Sequence, residues 1–115
     1  MPWLLRDDRV LASLEIASSR TDRRKGLLGR DGFDGALLIE HTRSVHTMGM
    51  RFPIDVAHLD AEGTVLRCCT MSRHRLGMPV LRASKVLEAE AGSFARWGIG
   101  PGQVLEVRVQ HPTDP

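Results

Sequence analysis

A chain of 115 residues, 42% apolar and 26% charged, is long enough for one modest core and too apolar to be disordered. The net charge is only +2, but the charges are segregated. Residues 20–30 carry Arg20, Arg23, Arg24, Lys25 and Arg30 against Asp22, and residues 67–85 carry Arg67, Arg73, Arg75, Arg82 and Lys85 with no acid. The apolar run at 1–6 is too short for an export signal or a membrane helix and is followed at once by acids. The expected location is therefore the cytoplasm, with no membrane partner.

The N-terminal elements are short. Val10 to Ala17 alternates loosely and ends in Ser18-Ser19, which predicts a strand of about six residues. Ser19-Arg20-Thr21-Asp22 has the capping-box form, a side-chain oxygen followed three residues on by an acid. A helix should follow from about Arg20 to Leu28, closed by Gly29. Asp31-Gly32-Phe33-Asp34-Gly35 is a turn-rich loop, and Ala36-Leu37-Leu38-Ile39 an apolar buried strand.

Residues 42–50 read as irregular. Pro53 cannot donate to a ladder and marks a strand start, with the strand running from Ile54 to Leu59. Asp60-Ala61-Glu62-Gly63 is a tight turn, and Thr64 to Thr70 returns as the hairpin partner. Adjacent Cys68 and Cys69 point to opposite faces of that strand, so one thiol should be buried and one outward, with neither a disulfide nor a shared metal.

Met71 to Ser84, with Gly77 and Pro79, is a long exposed loop. Lys85 to Ala91 is a strand with Leu87, Ala89 and Ala91 on one face and Glu88 and Glu90 on the other. Residues 92–97 form a helical turn or two ended by Gly98, and Val104 to Gln110 alternates as a last strand. The whole is one domain over 1–115, with its core at about 10–110 and a frayed tail at 111–115. The fold class is mostly β (α+β): a small barrel-like antiparallel or mixed sheet with one or two short helices. A faint echo of 14–17 in 87–90, each followed by a helix, a Gly-rich turn and a strand, points to a closed or nearly closed barrel.

Five segments carry a resemblance. They are Arg24-Lys25-Gly26-Leu27-Leu28-Gly29-Arg30, Val45-His46-Thr47-Met48-Gly49-Met50-Arg51-Phe52-Pro53-Ile54-Asp55-Val56, Leu59-Asp60-Ala61-Glu62-Gly63, Val86-Leu87-Glu88-Ala89-Glu90-Ala91-Gly92 and Gly98-Ile99-Gly100-Pro101-Gly102-Gln103. In order and spacing the chain resembles the bacterial and archaeal domain of unknown function 192 family, also called uncharacterised protein family 0127. The resemblance covers about residues 14–109 and implies a compact, mostly β domain whose biochemical role is not established. This chain departs from the family pattern at His46, Gly49, Met50 and Gln103, where many members have an aromatic, an Asn-Thr pair and an Asp.

Asp55, on a strand between apolar neighbours, is expected to be partly buried and to need a partner. Arg24, Arg51 and His46 are the candidates, and an ion pair pinning helix or loop to the sheet is the expected role. His41, His46, His58 and His74 lack the tight ligand pairs of zinc sites, so no metal is expected. Ser13, Ser18, Ser19 and Ser44 stand in no nucleophile elbow. Met48, Met50 and Phe52 are core residues first and pocket residues second.

The basic segments are the best physical argument for a partner, provided that they share a face. The leading expectation is a non-catalytic binding module for an anionic or polar small ligand, without cofactor. Its site would be a groove between the 42–53 stretch and the loop at 71–85. Arg24, Arg43 and Arg51 would make anion contacts, His46 and Asp55 would orient them, and Met48 would line the wall. The first alternative is a hydrolase using a His46/Asp55 pair. The second is a weak nucleic-acid binder, disfavoured because the chain has no Tyr, three Phe and two Trp for base stacking.

Overall fold

The computed structural model describes residues 1–110, so the expected frayed tail at 111–115 lies outside the described residues. Seven strands and two short helices follow in the order β1 (Trp3–Arg6), β2 (Arg9–Ala17), α1 (Arg20–Lys25), β3 (Ala36–Glu40), β4 (Ile54–Leu59), β5 (Val65–Met71), β6 (Lys85–Glu90), α2 (Ser93–Trp97) and β7 (Glu106–Arg108). The strands form one sheet in the order β5-β4-β6-β3-β2-β1-β7. Every pair is antiparallel except β2 with β3. A parallel pair needs a crossover, and the segment containing α1 supplies it.

The expected barrel does not close. β5 and β7 are the two outer strands. Among the described residues they are linked through the chain ahead of β7, where Val65 N–H donates to the Gln103 carbonyl at 2.8 Å, Gly102 N–H to the Val65 carbonyl at 2.8 Å and Leu105 N–H to the Gly63 carbonyl at 2.9 Å. β7 is three residues long rather than the seven expected, too short to reach along β5. The internal echo does not become a structural repeat, since β2 and β3 are neighbours while β6 and β7 lie far apart in the sheet.

Both sheet faces are covered. On one, Leu14, Leu38, Ala57, Leu59, Leu87 and Ala89 pack with Phe94 of α2 and Leu105. On the other, Leu37, Ile39, Ile54, Val56 and Val86 pack with Leu27, Met50 and Phe52. β4 sits between β5 and β6 and is therefore buried at all six positions. Cys68 packs against the first cluster and Cys69 against the second, the opposite faces expected, but both thiols are half-buried rather than one in and one out.

The expected hairpin is β4–β5. The N-terminal hairpin β1–β2 was not expected, because its turn is made by Asp7 and Asp8, both at positive φ (51° and 65°), without a glycine. Ser19 caps α1, its side chain accepting from Asp22 N–H at 3.1 Å. The helix stops at Gly26 rather than at Gly29. No helix among the described residues is long and apolar enough to cross a membrane.

Candidate functional site

α1 and the irregular stretch at 41–50 face each other across a cavity of about 380 Å³, floored by the sheet. The helix contributes Arg20, Arg23, Arg24 and Lys25, and its exit contributes Gly26, Leu27 and Leu28. The facing segment contributes His41, Thr42, Ser44, Val45, His46, Met48 and Met50. From the sheet come Ile39 of β3 and Glu88 of β6. The rim is thus cationic, and the walls mix the aliphatic Leu27, Leu28, Val45, Met48 and Met50 with the polar His41, Thr42, Ser44 and His46.

The helix exit explains how Glu88 is enclosed. Gly26 has φ 51° and ψ −129°, which turns the chain inward over β6. A Cβ at Gly26 would sit 3.0 Å from Glu88 Oε1. The next residue, Leu27, is buried and its backbone N–H donates to the Glu88 carboxylate. Glu88 is only 4% exposed and makes no ion pair among the described residues. Burial pushes its carboxyl up to about 7, although the Leu27 N–H pulls the other way.

Arg23 reaches back to the end of β3, donating to the Glu40 and His41 carbonyls at 3.4 and 3.5 Å. This ties the helix to the facing segment across one end of the cavity. Arg20, Arg24 and Lys25 are exposed and make no side-chain hydrogen bond or ion pair among the described residues, so their charges are available to a ligand.

The wall opposite the helix is held by Thr47, which is fully buried. Its hydroxyl donates to the Ser72 carbonyl at 2.6 Å and accepts from Arg75 N–H at 2.8 Å. Its backbone N–H donates to the Arg75 carbonyl and its carbonyl accepts from His74 N–H, both at 2.8 Å. Gly77 N–H donates to the Val45 carbonyl and Val80 N–H to the Arg43 carbonyl. The 42–53 stretch and the loop at 72–84 are therefore zipped together around residues 45–47, and between them a separate depression remains at residues 41–43 and 83–84. The cavity bordered by α1 opens on the other side of the 41–50 segment.

The six expected site residues separate. Arg24, His46 and Met48 line the cavity; Met48 is 47% exposed, whereas Met50 borders it from the core and Phe52 is core. Arg43 lines a different depression with His41, Thr42, Ala83 and Ser84. Arg51 pairs with Asp31 at 2.7 Å on the exposed surface. Asp55 is buried, but its partners are not basic: it accepts from Thr70 Oγ1 at 2.7 Å and from Gly92 N–H and Phe94 N–H at 3.0 Å each. It caps α2 from β4, which replaces the expected ion pair with Arg24, Arg51 or His46. His46 Nδ1 accepts from Met48 N–H instead, so the two members of the expected dyad are engaged elsewhere.

The basic segment at 67–85 contributes no residue to the cavity lining, so the cavity draws its arginines and lysine from α1 alone. His58, on β4, is buried with neither ring nitrogen hydrogen-bonded among the described residues, and burial together with Arg67 lowers its pKa. No group of three or more His, Cys, Asp or Glu that could hold a metal exists among the described residues.

Glu88 is the cavity residue that the sequence pattern concealed. Alternation along β6 assigned it to a polar face, which holds for an edge strand, but β6 lies between β4 and β3 and that face is roofed by α1 and the 41–50 segment. A usable signal lay in the Gly26-Leu27-Leu28-Gly29 run, since a glycine-bounded helix exit allows close approach to a buried group.

Residues 4–107 match the model of DUF192, described as uncharacterized ACR. Two crystal structures are similar to the chain. One is a protein of unknown function from Novosphingobium aromaticivorans DSM 12444, 19% identical, covering 91% of this chain and 82% of that one at a TM-score of 0.75. The other, from Sinorhizobium meliloti 1021, carries the name of a candidate transcription regulator; it is 25% identical and covers 92% of this chain and 91% of that one at a TM-score of 0.77. No curated protein matches the chain.

Proposed function

The chain belongs to the DUF192 family, and from that premise we propose that it is a small binding module whose cavity takes an anionic small molecule. The observation that carries this reading is the set of cations unpaired among the described residues, Arg20, Arg24 and Lys25, at the mouth of a half-apolar cavity with His41 and His46 opposite. Guanidinium forks suit carboxylate, sulfate and phosphate oxygens, and a partly enclosed mouth strengthens each contact relative to open water. Aliphatic walls from Leu28, Val45 and Met48 suit a ligand with a short apolar body. Against hydrolysis counts the engagement of Asp55 by Thr70, Gly92 and Phe94, which leaves His46 without an orienting carboxylate.

The test is a calorimetric titration with sulfate at fixed ionic strength, comparing the parent with Arg24→Ala and Arg20→Ala. Each arginine is worth about 1–2 kcal/mol to a bound oxyanion, so each variant should bind roughly tenfold more weakly. Equal affinity in parent and variants would refute the reading.

The name carried by the Sinorhizobium meliloti protein raises nucleic-acid binding as a second reading. Arg73, Arg75 and Arg82, all exposed on the loop at 72–84, would serve it. It requires affinity for DNA or RNA that falls steeply with salt; flat or absent binding at low salt removes it.

A further inference from the structure

The anion cavity has a carboxyl group in its floor, an unfavourable choice for an anion site unless that group carries a proton. Glu88 lines the same space as Arg20, Arg24 and Lys25 yet pairs with none of them. Its sheet neighbours on that face are Leu37 of β3 and Val56 of β4, both apolar. Glu90, two residues along β6, accepts from Phe33 N–H and is not part of the cavity lining. From α1 the charged lining groups are Arg20, Arg23, Arg24 and Lys25, with Asp22 outside the lining; from the facing segment they are His41 and His46. Among the described residues, the donor to the Glu88 carboxylate is the Leu27 N–H.

We propose that the cavity takes up an oxyanion together with a proton, and that Glu88 is the group that holds this proton. The inference rests on the reading of the cavity as an anion site. A proton from solvent adds to the Glu88 carboxylate, and the resulting O–H becomes a donor that an oxyanion oxygen can accept. Ionised Glu88 instead repels the same ligand inside a poorly hydrated space. The group is poised for this, since burial holds its pKa at about 7 and both states are populated at neutral pH. The ligand class that follows is a carboxylate, sulfate or phosphate compound, bound more tightly as pH falls.

Sulfate is a suitable probe because it does not titrate near neutrality. If only protonated Glu88 admits it, the apparent Kd rises about tenfold from pH 6 to pH 8. About half a proton is taken up per sulfate at pH 7, read from calorimetry in two buffers of different ionisation heat. Glu88→Gln should bind with little pH dependence and no such uptake. The double variant His41→Gln/His46→Gln should keep both, which separates Glu88 from the rim histidines. Proton uptake that persists in Glu88→Gln, or that vanishes in the histidine variant, overturns the proposal. Should Glu88→Gln not fold, uptake by the parent and the histidine variant still decides it. Sulfate binding that depends on Arg24 but not on pH leaves the anion site standing and removes the proton coupling; no sulfate binding at any pH removes both.

Discussion

Replacing Asp55 by alanine removes one carboxylate and leaves three donors behind: Thr70 Oγ1, Gly92 N–H and Phe94 N–H. They are not equivalent. Thr70 and Gly92 are exposed, so water can take over part of what they lose. Phe94 is buried, and among the described residues its amide donates to Asp55 alone. An orphaned buried amide costs about 1–3 kcal/mol, and the two hydrated donors add roughly 1 kcal/mol together. The expected loss is about 3 kcal/mol, against a total stability of roughly 6–17 kcal/mol for a domain of this length. Asp55→Asn keeps one acceptor oxygen and should lose about half as much. Urea unfolding followed by far-UV circular dichroism measures both, and m should stay constant because the surface exposed is unchanged. Since Asp55 is not in the cavity lining, folded Asp55→Asn should bind sulfate like the parent. A loss below about 0.5 kcal/mol in Asp55→Ala would refute the capping account, and lost sulfate affinity in folded Asp55→Asn would restore the dyad.

Thr47→Val keeps the shape but removes the hydroxyl between Ser72 and Arg75; it should cost about 2–3 kcal/mol and speed amide exchange at Arg75, and unchanged exchange would count against the pin. Gly26→Ala places a Cβ against Glu88 Oε1 at a positive φ and should cost about 2 kcal/mol; a neutral outcome in thermal unfolding would mean that the close approach is not maintained in solution. Glu88, with its carboxyl raised from 4.5 to about 7, holds more protons folded than unfolded between those values. Stability from this group is therefore present at low pH and is lost as pH rises from about 4.5 to 7, by roughly 3 kcal/mol in all. His58, with its pKa lowered, acts in the opposite sense, since stability falls as pH drops through the unfolded value of 6.5. The two trends overlap, so the measurement is the difference between parent and Glu88→Gln, which should favour the variant increasingly up to about pH 7; a flat difference would contradict the burial of an ionisable Glu88.

Local chemistry was legible in the sequence wherever a few neighbouring residues decide the structure. The Asp60–Gly63 turn defines the β4–β5 hairpin, Ser19 caps α1, and Gly98 ends α2. The motif order also identified the family, which the match over residues 4–107 bears out. What was hidden depends on which strands are neighbours. Asp55 was expected to be buried and in need of a partner, and it is, but its partners come from residues 15 to 39 positions away and are mostly backbone N–H groups, which no residue pattern advertises. Glu88 reads as a solvated acid until β6 is known to be central and roofed. The barrel was expected from an echo of short motifs, whereas closure depends on the length of β7. The two basic segments read alike as charge runs, yet only the first lines the cavity.

Backbone amide shifts recorded by NMR during a sulfate titration at pH 6 test the central claim most directly. The account predicts saturable shifts concentrated at residues 24–28 and 41–46, where α1 and the facing segment border the cavity, with little change at Gly92 and Phe94 beside Asp55. Shifts confined to Arg73, Arg75 and Arg82 on the opposite loop, or spread without saturation over every exposed arginine, would contradict it.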